Sequence, residues 1–450
     1  MAMVFNNPIF CDAVVRVQII HRTEETAPRS PGPEFLVSSG VLAGLSSYFQ
    51  RAFESWAATN SEGRRVIEIH VYGEKLETLQ ILLQYMHTKH LPCLDVDCLV
   101  DVLELADQYM VVSCVSEVCR QLVEKKYDIS TVQKAVRVVE MSKRVAGSLH
   151  PATLFAKENA LETLLARFGD LEGVWQSEQA KNEFLNLPRD VVVEILKSHR
   201  LKVGSENTVF LMVTAWLMRN FDRRSPSDED YCEATMQIGS LVRFPLLSMN
   251  FLTVWAPDCK WVKDFDATWK LWIREALQFK AAGEKGKRAS QDVSTNDRFT
   301  TRKDLSLKNI ATWKIHRDSL QEVLNTRRPL HSPRMFYGGY YWDIEIEKKI
   351  ISGKPHIGVY LFAYGVEDDT GVFAKGPVQV ECSYVLKCLK HRSQGGERVE
   401  SLQNVKWDLG TGWGWQNFFM EEAAKVLEDG SPYLDLNNSL HFKAVIESIG

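Results

Sequence analysis

Residues 99–122, LVDVLELADQYMVVSCVSEVCRQL, place apolar side chains at Leu99, Val102, Leu103, Ala106, Tyr109 and Met110, then at Val115, Val118, Cys119 and Leu122. Steps of three and four residues put such side chains on one stripe of a helix, so the spacing predicts two short helices, each with one buried face. Residues 39–56 repeat the stripe through Val41, Leu42, Leu45, Tyr48, Phe49, Phe53 and Trp56, and residues 76–86 predict a further helix. Ahead of these helices, Val15, Val17 and Ile19 alternate with Arg16 and Gln18, and Ile67, Ile69 and Val71 alternate with Glu68 and His70. Alternation is the period of a half-buried strand. The first part of the chain is therefore expected to be a small mixed sheet covered by helices. Residues 21–34 (HRTEETAPRSPGPE) and 57–65 (AATNSEGRR) are polar and rich in turn formers, which predicts exposed loops.

Beyond Leu122 the pattern is helical without strand alternation, in residues 132–141, 156–168 and 190–198. Ser205 and Glu206 then open SENTVFLMVTAWLMRNF, a hydroxyl and an acid at a predicted helix start, where they complement unpaired N–H groups and the helix dipole. The stripe expected to be buried there is Val209, Met212, Val213, Trp216 and Leu217. Residues 281–304, AAGEKGKRASQDVSTNDRFTTRKD, hold almost no apolar side chains and read as a flexible linker. From Ala311 onward short aromatic-rich segments alternate with turn signals, at Trp313-Lys314-Ile315 and from Ser332, Ile357, Val378, Trp413 and Ser431. About seven such segments predict an antiparallel sandwich.

The residues also carry resemblances. Phe10-Cys11-Asp12, then FLVSSGVLAGLSSYFQRAF from Phe35, LLQYMHT from Leu82 and LELADQYMVVSCVSEVC from Leu103 stand in the order of a BTB/POZ domain, although Ser38 occupies a position where that family often has His. LNLPRDVVVEILKSHRLKVGSENTVFLMVTAWLMRNF followed by GSLVRFPLLSMNFL is similar to the helical BACK domain. The Trp-x-Ile opening at Trp313, the Gly-Tyr-x-Trp at Gly339, the Gly-Val-Tyr-Leu at Gly358 and the Trp-Gly-Trp at Trp413 resemble a MATH (TRAF-like) domain, with an insert around residues 404–411 and a basic stretch at 387–398 as departures. The three-part order is similar to that of the plant light-response BTB proteins, including Gln278-Phe279-Lys280-Ala281. The expected organisation is a multidomain chain: an α+β BTB/POZ domain at residues 9–125, an all-α BACK domain at 126–280, the linker at 281–304, and a MATH-like antiparallel β-sandwich at 311–450.

The resemblance implies a non-catalytic, substrate-recruiting adaptor of a cullin-3 RING ubiquitin ligase, dimeric through its BTB domain and working in the nucleus or cytoplasm. Phe53, Trp56, Tyr85 and His87 are the expected cullin side, being large side chains beside a loop, the residue types that dominate interface energy. The apolar segment MAMVFNNPIF and the stripe from Val41 to Phe53 are the expected dimer surface. Trp413 and Trp415, with Tyr384 on a neighbouring strand, are the expected substrate groove, because alternation puts both indoles on one face and Gly414 leaves room for a peptide backbone. Just after the helix that ends near Phe53, the segment RAFESWAATNSEG carries no clean pair of an apolar residue followed two positions later by Glu, the cullin-facing motif of the family. A dimeric scaffold or transcriptional co-regulator that engages no cullin therefore stays open.

Composition narrows the remaining classes. A net charge of -4 gives no global attraction to nucleic acid or anionic membrane, and nine scattered cysteines suit a reducing compartment better than a disulfide framework. His87, His90 and Cys93 form HxxHxxC, but no second ligand pair stands near it to complete a four-ligand zinc site. GxSxG, HExxH and a phosphate loop ending in Lys-Ser/Thr are all missing. Neither a catalytic set nor a cofactor is expected.

Overall fold

The structure is a computed structural model that describes all residues except 1–4, 21–29, 56, 125–128, 145–150, 222–223, 226, 293–296, 305–308, 367–378, 392–395 and 450. The chain forms two compact units, residues 1–167 and 168–450.

In the first unit β1 (Ala13–Ile20) pairs antiparallel with β2 (Ser30–Val37) and parallel with β4 (Arg65–Tyr72), and β3 (Ala58–Thr59) closes the order β2-β1-β4-β3. The parallel register sets Val15 against Ile67 and Val17 against Ile69. All four side chains are buried, while Arg16, Glu68 and His70 face solvent. Burying each such side chain contributes roughly 1.5–3 kcal/mol. The predicted loop at 21–34 is corrected over its second half, where Ser30 to Glu34 belong to β2 despite Pro31 and Pro33. An edge strand tolerates proline because the missing N–H would have faced away from the ladder.

Helices Leu76–Thr88, Val96–Gln108 and Val112–Glu124 cover the sheet, with Leu99, Val102, Leu103, Val118 and Leu122 buried. Asp95 starts the second of these by accepting the Cys98 N–H at 2.8 Å. The stripe at 39–56 is split into helices Ser39–Leu45 and Ser47–Ser55, because Ser46 is extended and its hydroxyl accepts from the Phe49 N–H. Helices Val132–Arg144 and Pro151–Phe168 pack with this unit, the former through Arg137, which meets Asp97 at 2.9 Å and Asp101 at 2.6 Å.

The second unit begins with helices Leu171–Gln176, Glu178–Leu185 and Arg189–Lys197 around a central helix, Glu206–Phe221. That helix is buried on nearly every side through Leu217, well beyond the single stripe the periodicity marks. The flexible linker expected at 281–304 is corrected over 281–292 and at 302–304, and residues 293–296 of it lie outside the described residues. The helix Asp266–Asp292 carries the backbone through its first half, and in its second half Arg302 is buried and Lys303–Asp304 forms β6, parallel to β5 (Lys202–Val203). Low apolar content did not imply mobility here, because Arg302 is held by charge: its guanidinium meets Glu206 at 3.0 and 3.2 Å and donates to the Leu196 and Leu241 carbonyls at 2.6 and 2.8 Å.

The sandwich follows in the same unit. One antiparallel sheet runs β14 (Thr411–Trp415), β11 (Lys354–Tyr364), β10 (Tyr340–Ile351), β8 (Leu330–His331), with β9 (Met335–Tyr337) also on β10; the other runs β13 (Glu397–Asp408), β12 (Gln379–Leu389), β15 (Ser439–Ile449), β7 (Ile310–His316). While residues 387–389 of the basic stretch end β12, residues 397–398 of that stretch and residues 404–408 of the suggested insert lie in β13. Its residues are largely exposed, so the apolar alternation that signals a strand is weak there.

Helices and sandwich meet at the tight β9–β10 turn, where Gly338 and Gly339 have φ of 62° and 90°. The Asn207 amide donates to the Gly338 carbonyl at 3.0 Å, Trp175 stacks on Phe336 with centroids 5.3 Å apart, and a Cβ on Gly339 would lie 2.7 Å from Phe251. At the centre of the joint the fully buried Glu172 accepts from the Gly204 N–H at 2.9 Å, the Thr208 hydroxyl at 2.8 Å and the Gly338 N–H at 3.3 Å. Burial pushes this carboxyl up to about 7 from 4.5, and the hydrogen bonds oppose that rise. The folded pKa lies above the unfolded one, so the group's contribution to stability is full below about 4.5 and lost as pH rises through about 7. Glu172→Gln, which retains an acceptor for Gly204 and Thr208, is expected to remove this part of the pH dependence. Urea midpoints at pH 5 and pH 8 check it, and equal pH dependence in variant and parent would contradict it.

Candidate partner-binding sites

In the first unit, three of the four residues expected on the cullin side are in the core. Phe53, Tyr85 and His87 are buried, while Trp56 lies outside the described residues. Phe53 and Tyr85 face inward because the helices that carry them present their apolar stripes to the sheet. The Tyr85 hydroxyl donates to the Ser113 carbonyl at 2.9 Å. His87 accepts the Ser38 N–H at Nε2 (3.1 Å), so Nδ1 carries the proton and donates to the Leu83 carbonyl at 2.8 Å. Burial lowers the pKa of this imidazole, and the bond to Leu83 raises it in part. With both nitrogens engaged, His87 has no lone pair to offer the HxxHxxC pattern. Of the stripe from Val41 to Phe53, Leu42, Phe49 and Phe53 are in the unit's own core, while Val41, Leu45 and Tyr48 are half-buried.

The exposed apolar side chains of this unit stand elsewhere. Ile9 is 82% and Phe10 56% exposed, while Met110 is 51% and Val112 73% exposed. The stripe placed Met110 inside. The helix ends before it, at Gln108, and Met110 adopts φ 54°, which turns its side chain outward beside Ser47. A chain break between two amphipathic helices was the only available signal, since periodicity does not carry across a turn.

In the second unit the three expected groove residues separate. Register pairs Trp413 with Leu361 and Trp415 with Val359, so both indoles leave the inner face of their sheet, as alternation predicts. Trp415 is half-buried against Tyr384 and Phe418. Trp413, nearer the β13–β14 turn, is 47% exposed. Tyr384 is a core residue, not a groove residue: it is fully buried between Trp407 and Trp415, its hydroxyl donates to the Trp413 carbonyl, and burial pushes its phenol pKa up. Nor does Gly414 leave space for a peptide, because a Cβ there would lie 2.2 Å from the Val359 carbonyl oxygen. The space it provides is taken by β11.

What remains available is the strand edge. β14 ends its sheet and pairs with β11 alone in that sheet. Its Thr411 carbonyl accepts from Trp407 Nε1 at 3.2 Å and its Trp413 carbonyl from the Tyr384 hydroxyl, so an extended partner would meet the remaining edge groups, with the exposed indole of Trp413 beside them. In the same sheet His331 of β8 lies between Asp343 (3.1 Å) and Glu345 (3.2 Å) of β10, and Arg334 lies over Tyr364, 3.9 Å from its centroid. Both carboxylates thus have a partner within the sandwich.

Comparison with known proteins finds two family models that match parts of the chain ahead of the sandwich. The BTB/POZ domain model matches residues 1–127, and the BACK (BTB And C-terminal Kelch) model matches residues 158–256. A BTB/POZ domain-containing protein of Arabidopsis thaliana is 27% identical over 247 residues, 54% of this chain and 38% of that protein. Human Kelch-like protein 24 is 27% identical over 220 residues, 49% of this chain and 32% of that protein. The chain thus aligns with well under half the length of these curated relatives. Among solved structures, TRAF5 of Notothenia coriiceps shows 17% identity over 42% of this chain and 90% of its own, with a TM-score of 0.25.

Proposed function

We propose that this chain, in which a BTB/POZ domain precedes a BACK domain, recruits a protein substrate to a cullin-3 RING ubiquitin ligase as a non-catalytic subunit. The observation that carries the reading is the arrangement itself: a BTB/POZ domain, then BACK helices joined through Glu172 and Asn207 to a sandwich that ends in an open strand edge. In the family the sequence resembles, that order separates a cullin-docking end from a substrate-capturing end. Substrate adds to the β14 edge as an extended segment and places an apolar side chain on Trp413. A second copy docks through the first unit, with Ile9 and Phe10 in the contact, and light scattering at micromolar concentration should return twice the chain's mass. The protein acts in the nucleus or cytoplasm, a reading supported by nine free cysteines.

Cullin-3 docks on the face that carries Met110 and Val112, the exposed apolar pair closest to the helix Ser47–Ser55. A charge placed at the centre of an apolar contact is left desolvated and unpaired, so Met110→Asp and Val112→Asp are each expected to weaken cullin-3 binding by about 30-fold or more. Both sites are exposed, so thermal melts should stay close to the parent's. Biolayer interferometry with the purified cullin checks the effect, and parental affinity in both variants would place the cullin face elsewhere.

A further inference from the structure

Where the helix Arg189–Lys197 ends, its last turn, the loop after helix Glu229–Gly239 and residues 298–302 enclose a cavity of about 330 Å³. Its wall carries four cations, Lys197, Arg243, Arg298 and Arg302, together with Ser240, and no carboxylate is among the described residues that line it. Two of the cations belong to the framework. Arg302 is sealed against Glu206, and Arg243 donates to the Thr300 carbonyl at 2.6 Å. Arg302 also takes up the Leu196 and Leu241 carbonyls, which would otherwise aim negative charge at the opening. Of the other two, only Lys197 stands fully toward solvent. Arg298 is half-buried and held in place, its guanidinium 4.2 Å from the Trp272 ring centroid and 3.3 Å from Glu275.

Two of the four lining cations are paired with carboxylates outside the lining, Arg302 with Glu206 and Arg298 with Glu275. A recess whose lining carries charge of one sign nonetheless focuses the field within it, and a planar guanidinium already fixed by stacking meets an oxyanion at little ordering cost. We propose that this cavity binds a small polyphosphate anion, with Arg298 and Lys197 as the contacting cations and Arg302 and Arg243 as the fixed positive floor. The volume suits several linked phosphoryl groups rather than one. Because Arg298 and Arg302 form one side of the cavity, a bound anion would also tie residues 298–302 to the helices and raise the melting temperature of the second unit.

Calorimetric titration of the full chain with inorganic tripolyphosphate at physiological salt tests this, with orthophosphate as a second probe. The expected result is saturable one-to-one binding of tripolyphosphate, tighter than orthophosphate by tenfold or more. Arg298→Gln and Lys197→Gln should each weaken it at least tenfold. Lys197→Gln lies at an exposed site and is expected to melt with the parent in the absence of ligand, which keeps the test independent of folding. No saturable binding to the parent, or equal binding by parent and both variants, would overturn the assignment.

Discussion

Arg302→Ala is expected to destabilise the second unit by about 3–5 kcal/mol, the cost typical of removing one partner from a buried ion pair. The side chains of Arg302 and Glu206 are 1% and 2% exposed, so the substitution strands a carboxylate in the interior and frees two carbonyls that the guanidinium had satisfied. The double change Glu206→Met with Arg302→Leu should recover only part of the loss. It removes the stranded charge, but leaves the Leu196 and Leu241 carbonyls, and the Arg243 N–H that Glu206 accepted, without those partners. Urea unfolding of the parent, single and double variants decides this. A single-variant loss under about 1 kcal/mol would mean that water reaches the pair.

The second large effect separates core from edge in the sandwich. Tyr384→Ala should cost about 3–5 kcal/mol, since it empties a ring-sized space between the sheets and removes the hydroxyl that holds the Trp413 carbonyl. Trp413→Ala removes a side chain already half in solvent, so its stability cost should stay under about 1 kcal/mol. Its effect belongs to capture: losing a hot-spot indole costs about 2 kcal/mol or more of binding, roughly 30-fold. Melts and retention of a cross-linked cellular substrate, measured on both variants, distinguish the two roles. A large stability loss in Trp413→Ala, or unchanged retention by that variant while folded, would remove the strand edge as the capture site.

The elements whose periodicity matches one buried face were legible in the sequence. Val15, Val17, Ile67 and Ile69 lie in register as alternation required, and Val209, Met212, Val213, Trp216 and Leu217 are buried as helical spacing required. Two kinds of feature were not legible. Arg302 in its polar context looked like linker, because composition does not reveal a charge partner 96 positions earlier in the chain. β13 looked like an insert, because a largely solvated strand needs no apolar alternation. For the binding residues, aromatic character alone did not separate core from surface. Phe53, Tyr85 and Tyr384 are large and apolar for the sake of packing, whereas Met110 and Trp413 are exposed by a left-handed turn and a sheet edge, both products of tertiary structure. Gly414 between Trp413 and Trp415 raised the same ambiguity: absence of a Cβ allows close approach but does not say which backbone approaches, and here it is β11.

The adaptor account stands or falls on cullin-3. Purified full-length chain, immobilised and titrated with cullin-3, should bind saturably with a Kd near or below about 1 µM, and Val112→Asp should abolish most of that signal while its melt matches the parent's. A folded, dimeric chain that shows no binding to cullin-3 at concentrations tens of times higher would contradict the account and leave a scaffold that works without a cullin.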